Sequence, residues 1–279
     1  MGKEKKATKR TSGMKKIWSL FAIFMGLFML GFLGIRLDEN ATASAWTVLV
    51  FCVIISSIVM LVKNKLPSKK QVGISLILGV LVLIAGFGVG MSIDFGMLPM
   101  AIVTTLCALA MFSIFNRYPD NAMRLLKTNS AKSIGISIAI GIAVGIVLGA
   151  VNLFLHGEEL SLMITPSAFI VALNPGVFEE IALRAFIYAF SLYLMRGAIN
   201  SKAQSFTLWF MMIVPHVLIH TPDMFIYDGI LAGMQSVVFL TVLFGFPFAF
   251  LQRKVDITSA MIAHGVVMII RFNFLGIPM

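Results

Sequence analysis

Long apolar runs separated by short polar links set the pattern of this chain. The runs fall at residues 17–35, 45–62, 71–91, 96–115 and 133–155, then at 160–195, 203–222, 229–251 and 257–277. Most of them approach or exceed the roughly 20 residues that an α-helix needs to cross a bilayer. Hydrocarbon offers no water to backbone polar groups, so a spanning segment must satisfy its own hydrogen bonds, as a helix does. The pattern predicts an all-α, polytopic helical membrane protein of about eight or nine transmembrane helices. The run at 160–195 is too long for one simple span, and Pro166 and Asn174-Pro175-Gly176 interrupt it. Two arrangements fit: 160–178 crosses and the following helix lies at the inner interface, or 160–174 dips in and 176–195 crosses.

Composition agrees with the pattern, with 59% hydrophobic and 12% charged residues. The net charge of +10 would suit a nucleic-acid partner only if it formed a continuous patch, and it does not. Of twenty-two Lys and Arg, all but Arg36, Arg184 and Arg271 fall in an N-terminal arm or in alternate links between runs. Residues 63–70 hold Lys63, Lys65, Lys69 and Lys70, and residues 116–132 hold Arg117, Arg124, Lys127 and Lys132. The links at 36–44 and 92–95 instead carry Asp38, Glu39 and Asp94 with Arg36 as their one cation. By the positive-inside rule the N-terminus is cytoplasmic and the acidic links are external. The arm, residues 1–16, has seven cations against Glu4, and reads as a disordered cytoplasmic segment able to meet anionic headgroups. A signal peptide is the competing reading of the start, given Ala41-Thr42-Ala43-Ser44-Ala45, but the run at 17–35 is longer than a usual signal-peptide core. The organisation expected is a basic arm at 1–16, N-terminal transmembrane helices at 17–129 and a core at 130–279. Membrane lipids are the partners this implies, and nucleic acid is not.

Cys52 and Cys107 lie inside apolar runs and read as free packing residues. Gly141, Gly145 and Gly149, at four-residue spacing, let two helices approach closely, either within the chain or across a dimer face. His156-Gly157-Glu158-Glu159 reads as a solvated outer loop.

Candidate chemistry centres on Asn174-Pro175-Gly176-Val177-Phe178-Glu179-Glu180-Ile181-Ala182-Leu183-Arg184. A carboxylate inside a membrane costs several kcal/mol unless paired, hydrated or protonated, so two in a row need a reason. Glu180 and Arg184 are spaced i,i+4 and can pair on one helical face. Glu179 lies about 100° around the axis and is not bound to that pair by local geometry. An interhelical salt-bridge cluster is the plain account; a catalytic carboxylate beside a structural Glu–Arg pair is the sharper one. Three of four histidines, His216, His220 and His264, fall in later apolar runs, the first two at i,i+4.

These residues resemble the CAAX protease and bacteriocin-processing family, also called Abi, of intramembrane glutamic endopeptidases. Its Glu-Glu-x-x-x-Arg motif is met by Glu179, Glu180 and Arg184. Its aromatic-x-x-x-His motif fits best at His220, which a Pro-containing turn follows, although His216 then stands in the aromatic place. His216 is the alternative, with Met212 in the aromatic place. Its His-x-x-x-Asn/Asp motif is met at His264, but Met268 stands where the polar partner belongs. The resemblance covers about residues 130–279. It implies hydrolysis of a peptide bond in a membrane-associated peptide or protein, without cofactor or metal. Glu179 would be the general base, Arg184 would hold Glu180, and His220 with His264 would face the scissile carbonyl. Two rivals remain. A non-catalytic membrane partner, such as a bacteriocin self-immunity or regulatory protein, is compatible with Met268. A zinc peptidase would use His216, His220 and His264 as ligands, although His-Glu-x-x-His is absent. A transporter would show paired interrupted helices in two halves, and none recur.

Overall fold

The computed structural model describes residues 2–32, 41–89, 97–156 and 162–276. The acidic links with Arg36, Asp38, Glu39 and Asp94, and the Gly157-Glu158-Glu159 loop, lie outside them. Among the described residues there is no strand. The helices are α1 (Gly2–Phe32), α2 (Ala41–Lys63), α3 (Lys69–Ala85), α4 (Met97–Arg117), α5 (Ala131–His156) and α6 (Pro166–Val171). A π-helix over Asn174–Ala185 leads into α7 (Phe186–Leu194). Then come α8 (Lys202–Leu218), α9 (Pro222–Tyr227), α10 (Ile230–Leu240), a π turn over Thr241–Gly245, α11 (Phe246–Lys254) and α12 (Ile257–Leu275).

Among the described residues seven helices are long and apolar enough to cross a bilayer, at Gly13–Leu30, Ala41–Lys63, Lys69–Gly88, Met97–Arg117, Ala131–Leu155, Ile230–Lys254 and Ile257–Leu275. The chain is an all-α, polytopic integral membrane protein. Two of the expected runs stand apart from that set. Helix α8 has 17 residues, about 26 Å at the α-helical rise. The π-helix carries Glu179, Glu180 and Arg184 within one stretch. The basic arm, expected to be disordered, is instead helical and belongs to α1. Its Lys, Glu, Ala and Arg residues are good helix formers, and propensity prevails over mutual repulsion there. Ala41-Thr42-Ala43-Ser44-Ala45 is the first turn of α2, with Ala41, Ser44 and Ala45 buried.

The chain divides into two compact units that interleave along the sequence. The first comprises Met1–Leu66, Ala110–Ala122 and Phe186–Phe246. Aromatic packing joins its helices: Trp18 of α1 donates its indole N–H to Thr207 of α8 at 3.2 Å. Trp18 and Phe21 each place their rings 4.9 Å from that of Phe210. Tyr188 of α7 donates to the Asn121 carbonyl at 2.8 Å, tying α7 to the turn that follows α4. After α7 the chain reverses through left-handed Arg196 and Gly197, whose φ values are 57° and 75°. The Tyr118 ring lies where a Cβ on Gly197 would sit, so both backbone and space require glycine there.

The second unit comprises Pro67–Leu109, Met123–Ala185 and Pro247–Met279. Here the glycine stripe of α5 meets α12. A Cβ on Gly141 would lie 2.7 Å from Ile262, on Gly145 2.6 Å from Val266, and on Gly149 2.6 Å from Ile270. The stripe is therefore an internal contact, and its four-residue period matches that of the opposing residues. The start of α12 is fixed by Asp256, buried at 1% exposure. Its carboxylate accepts from the Ser259 backbone N–H at 2.8 Å, Ser137 Oγ at 2.5 Å and the Lys127 backbone N–H at 3.2 Å. The far end is held by Asn273, which accepts from the Thr165 N–H through its side chain and from the Met163 N–H through its main-chain carbonyl, both at 2.8 Å. Cys52 and Cys107 are not in a disulfide.

Candidate functional site

Pro175 explains why the site is built on a π-helix. It has no N–H to donate, and in an α-helix its ring would press on the carbonyl four residues back. A π-helix relaxes that contact by shifting the hydrogen bonds to i→i+5, and such segments occur often at functional sites. Helical structure runs from α6 into the π-helix with a turn at Ala172 alone, so Asn174-Pro175-Gly176 distort the helix without breaking it. Gly176 then permits close approach of α12: an added Cβ would lie 3.0 Å from the Met261 carbonyl and 3.3 Å from Gly265 Cα. That approach brings His264, next to Gly265, within reach of the glutamates.

Glu180 is wholly buried and satisfied on both oxygens. Its Oε1 takes a hydrogen bond and ion pair from Arg184 Nη1 and a 2.8 Å contact from His264 Nδ1. Its Oε2 accepts from Gln252 Nε2 at 2.7 Å, and the same Nε2 lies 3.0 Å from the Glu180 main-chain carbonyl. A carboxylate already accepting from Arg184 makes Nδ1 of His264 a donor, which assigns the proton to that nitrogen. Nε2 of His264 is then the atom left for other work. It lies 3.8 Å from Glu179 Oε2, too far for a hydrogen bond and near enough for one water to touch both. Glu179 retains 9% exposure against 0% for Glu180, so it is the more accessible carboxylate of the pair.

Phe248 of α11 fixes the ring. It stacks on His264 with centroids 4.7 Å apart and planes 17° from parallel. The Arg184 guanidinium carbon also lies 5.5 Å from the Phe248 ring centroid, a cation–π contact. The structure thus brings together Glu179, Glu180, Arg184 and His264 in one unit.

His216 and His220 belong to the other unit. His216 is on α8 and buried, whereas α8 ends at Leu218 and His220 lies exposed in the following turn. Their ring centroids are nevertheless 5.3 Å apart, and Trp46 of α2 meets both, at 6.4 Å from His216 and 5.0 Å from His220. The i,i+4 spacing would place them on one helical face, but the helix ends between them: Pro222, which opens α9, has no N–H to give the Leu218 carbonyl, which accepts instead from the Thr221 N–H at 3.1 Å and Thr221 Oγ1 at 2.9 Å.

Two contributors escaped the sequence reading. Gln252 sits in a run that otherwise reads as span and link, and Phe248 is one aromatic among many. Only the burial of an amide beside Arg253 and Lys254 could have singled out Gln252. Its Oε1 is buried without a hydrogen-bond partner among the described residues. Met268, where the third motif has Asn or Asp, packs against the apolar cluster of Ala168, Val171, Ala172 and Phe272. Comparisons with known protein families, with curated proteins and with solved structures find no match to this chain.

Proposed function

We propose that this chain is an intramembrane endopeptidase that hydrolyses a peptide bond through water activated by Glu179. The observation that carries the reading is the division of labour between adjacent glutamates. Glu180 is used up in holding Arg184, Gln252 and His264, while Glu179 is the more accessible and stands beside His264 Nε2. In the reaction a water held by Glu179 and His264 Nε2 gives its proton to Glu179, and its oxygen attacks the scissile carbonyl carbon. As the tetrahedral intermediate collapses, the C–N bond breaks and protonated Glu179 returns the proton to the departing amine. General acid–base catalysis of this kind contributes about 10²–10⁴-fold. The substrate is a membrane-associated peptide or protein, with a prenylated CAAX tail and a bacteriocin or pheromone leader as the two classes the resemblance offers. A bacterial cell membrane with the N-terminus in the cytoplasm is the setting that fits the leader class and the cation distribution.

The test compares new N-termini in membrane and medium from cells carrying wild type or Glu179→Ala, by quantitative proteomics. Peptide ends present only with wild type are expected; identical profiles would overturn the proposal. A second reading, a non-catalytic membrane partner, is favoured by Met268, whose apolar packing leaves the third motif without its amide or carboxylate. In that case Glu179→Gln would leave any immunity or regulatory phenotype intact.

A further inference from the structure

One end of the first unit gathers cations around a guanidinium that is oriented yet exposed. Arg117, the last residue of α4, donates from Nη1 to Asn64 Oδ1 at 2.9 Å. Its guanidinium carbon lies 5.6 Å from the Tyr118 ring centroid and 5.5 Å from that of Tyr193. Those contacts hold the planar fork in place and leave its remaining N–H donors available. The neighbouring chain ends are tied to the same place. Ser113 Oγ donates to the Lys65 carbonyl, and Asn121 donates to the Gly197 carbonyl at 2.9 Å. Lys63, Lys65, Arg117, Arg196 and Lys202 are exposed on these joined segments. Across residues 41–66, 110–122 and 186–202 the one acid is Asp120.

We propose that this end of the unit binds the phosphate of an anionic phospholipid headgroup, with Arg117 as the oriented donor and Lys63 and Lys65 as its flanking charges. Depth favours a lipid over a soluble phosphate ester. Lys63 and Arg117 are the terminal residues of two helices long and apolar enough to cross the bilayer, Ala41–Lys63 and Met97–Arg117. Cations in that position sit where hydrocarbon gives way to headgroups. Tyr118 and Tyr193 are half-buried at the same level, where amphipathic rings are enriched. An Arg held by aromatic faces and a side-chain amide presents parallel N–H groups to phosphate oxygens without reordering.

The experiment is native mass spectrometry of the full-length protein in detergent with equimolar phosphatidylglycerol and phosphatidylcholine. Wild type is expected to retain phosphatidylglycerol preferentially. Arg117→Gln and Lys65→Gln should each lower that retention by about fivefold, the weight of one basic side chain at an anionic surface. Arg117→Lys, which keeps the charge and loses the fork, should recover it only in part. Lys132→Gln, in the other unit, should change nothing. Lys65→Gln decides the matter if Arg117→Gln fails to fold, because the Lys65 side chain is exposed. No preference in wild type, or equal retention by the folded variants, would overturn the proposal. So would displacement of the lipid by millimolar glycerol phosphate, which would make the site one for free phosphate.

Discussion

Two adjacent glutamates with opposite duties are the residue-scale feature on which the functional proposal stands. Removing one partner of a buried ion pair strands the other charge and costs about 3–5 kcal/mol. Arg184→Ala is therefore expected to lower the yield of folded protein sharply. Glu179→Gln keeps shape and removes the base, so yield should stay near wild type while cleavage falls by about 10²–10⁴-fold. Equal yield losses for the two, by fluorescence size exclusion, would mean that the roles are drawn wrongly. Gln252→Leu is a gentler test of the same cluster, because it leaves Glu180 Oε2 without its donor. Hydrogen bonds to charged groups contribute about 1.5–3 kcal/mol, and a lowered melting temperature should report that loss. The ion pair was legible in the sequence because i,i+4 spacing survives the change from α- to π-helix. Gln252 was not, because nothing in its neighbours distinguishes a buried amide from one at a membrane surface.

At the scale of elements, the glycine stripe of α5 and the helix end at Leu218 mark the two limits of pattern reading. The stripe could be read from spacing alone, and only its partner, α12, had to come from the structure. Gly145→Leu would drive a side chain into Val266 and the Ala263 carbonyl, which lie 2.6 and 2.7 Å from an added Cβ. Overpacking of this kind costs about 1–3 kcal/mol, and here it also displaces the helix that carries His264. Loss of thermal stability in detergent is the expected outcome. The histidine pair shows the other limit, since the i,i+4 spacing of His216 and His220 gave no sign that the helix ends between them. On the motif assignment, His220→Ala and His264→Ala should each abolish cleavage, and His216→Phe should be tolerated beside Trp46. A dead His216→Phe with an active His220→Ala would reverse the assignment.

For the whole molecule, hydrophobic runs were enough to read the fold class, because a spanning helix must be apolar over nearly its full length. They could not show that the chain forms two interleaved units, since that depends on which side chains meet across distant segments. Orientation rests on charge. The link at 36–44 and the segment at 223–228 carry acids and are expected outside, whereas 63–70 and 196–202 carry cations and are expected inside. The contacts among Asn64, Lys65, Ser113, Arg117, Asn121 and Gly197 bear on this, because they place the cationic links of the first unit at one end. A chain replaced at Cys52 and Cys107 by alanine and carrying one new cysteine tests the orientation directly. Asn40→Cys and Asp228→Cys should react with a membrane-impermeant maleimide in intact cells. Lys65→Cys and Asn200→Cys should react only after the membrane is opened. Protection of Asn40→Cys in intact cells, with labelling of Lys65→Cys, would invert the molecule. The basic end described above would then face the outer leaflet, and its lipid partner would have to be an anionic species of that leaflet.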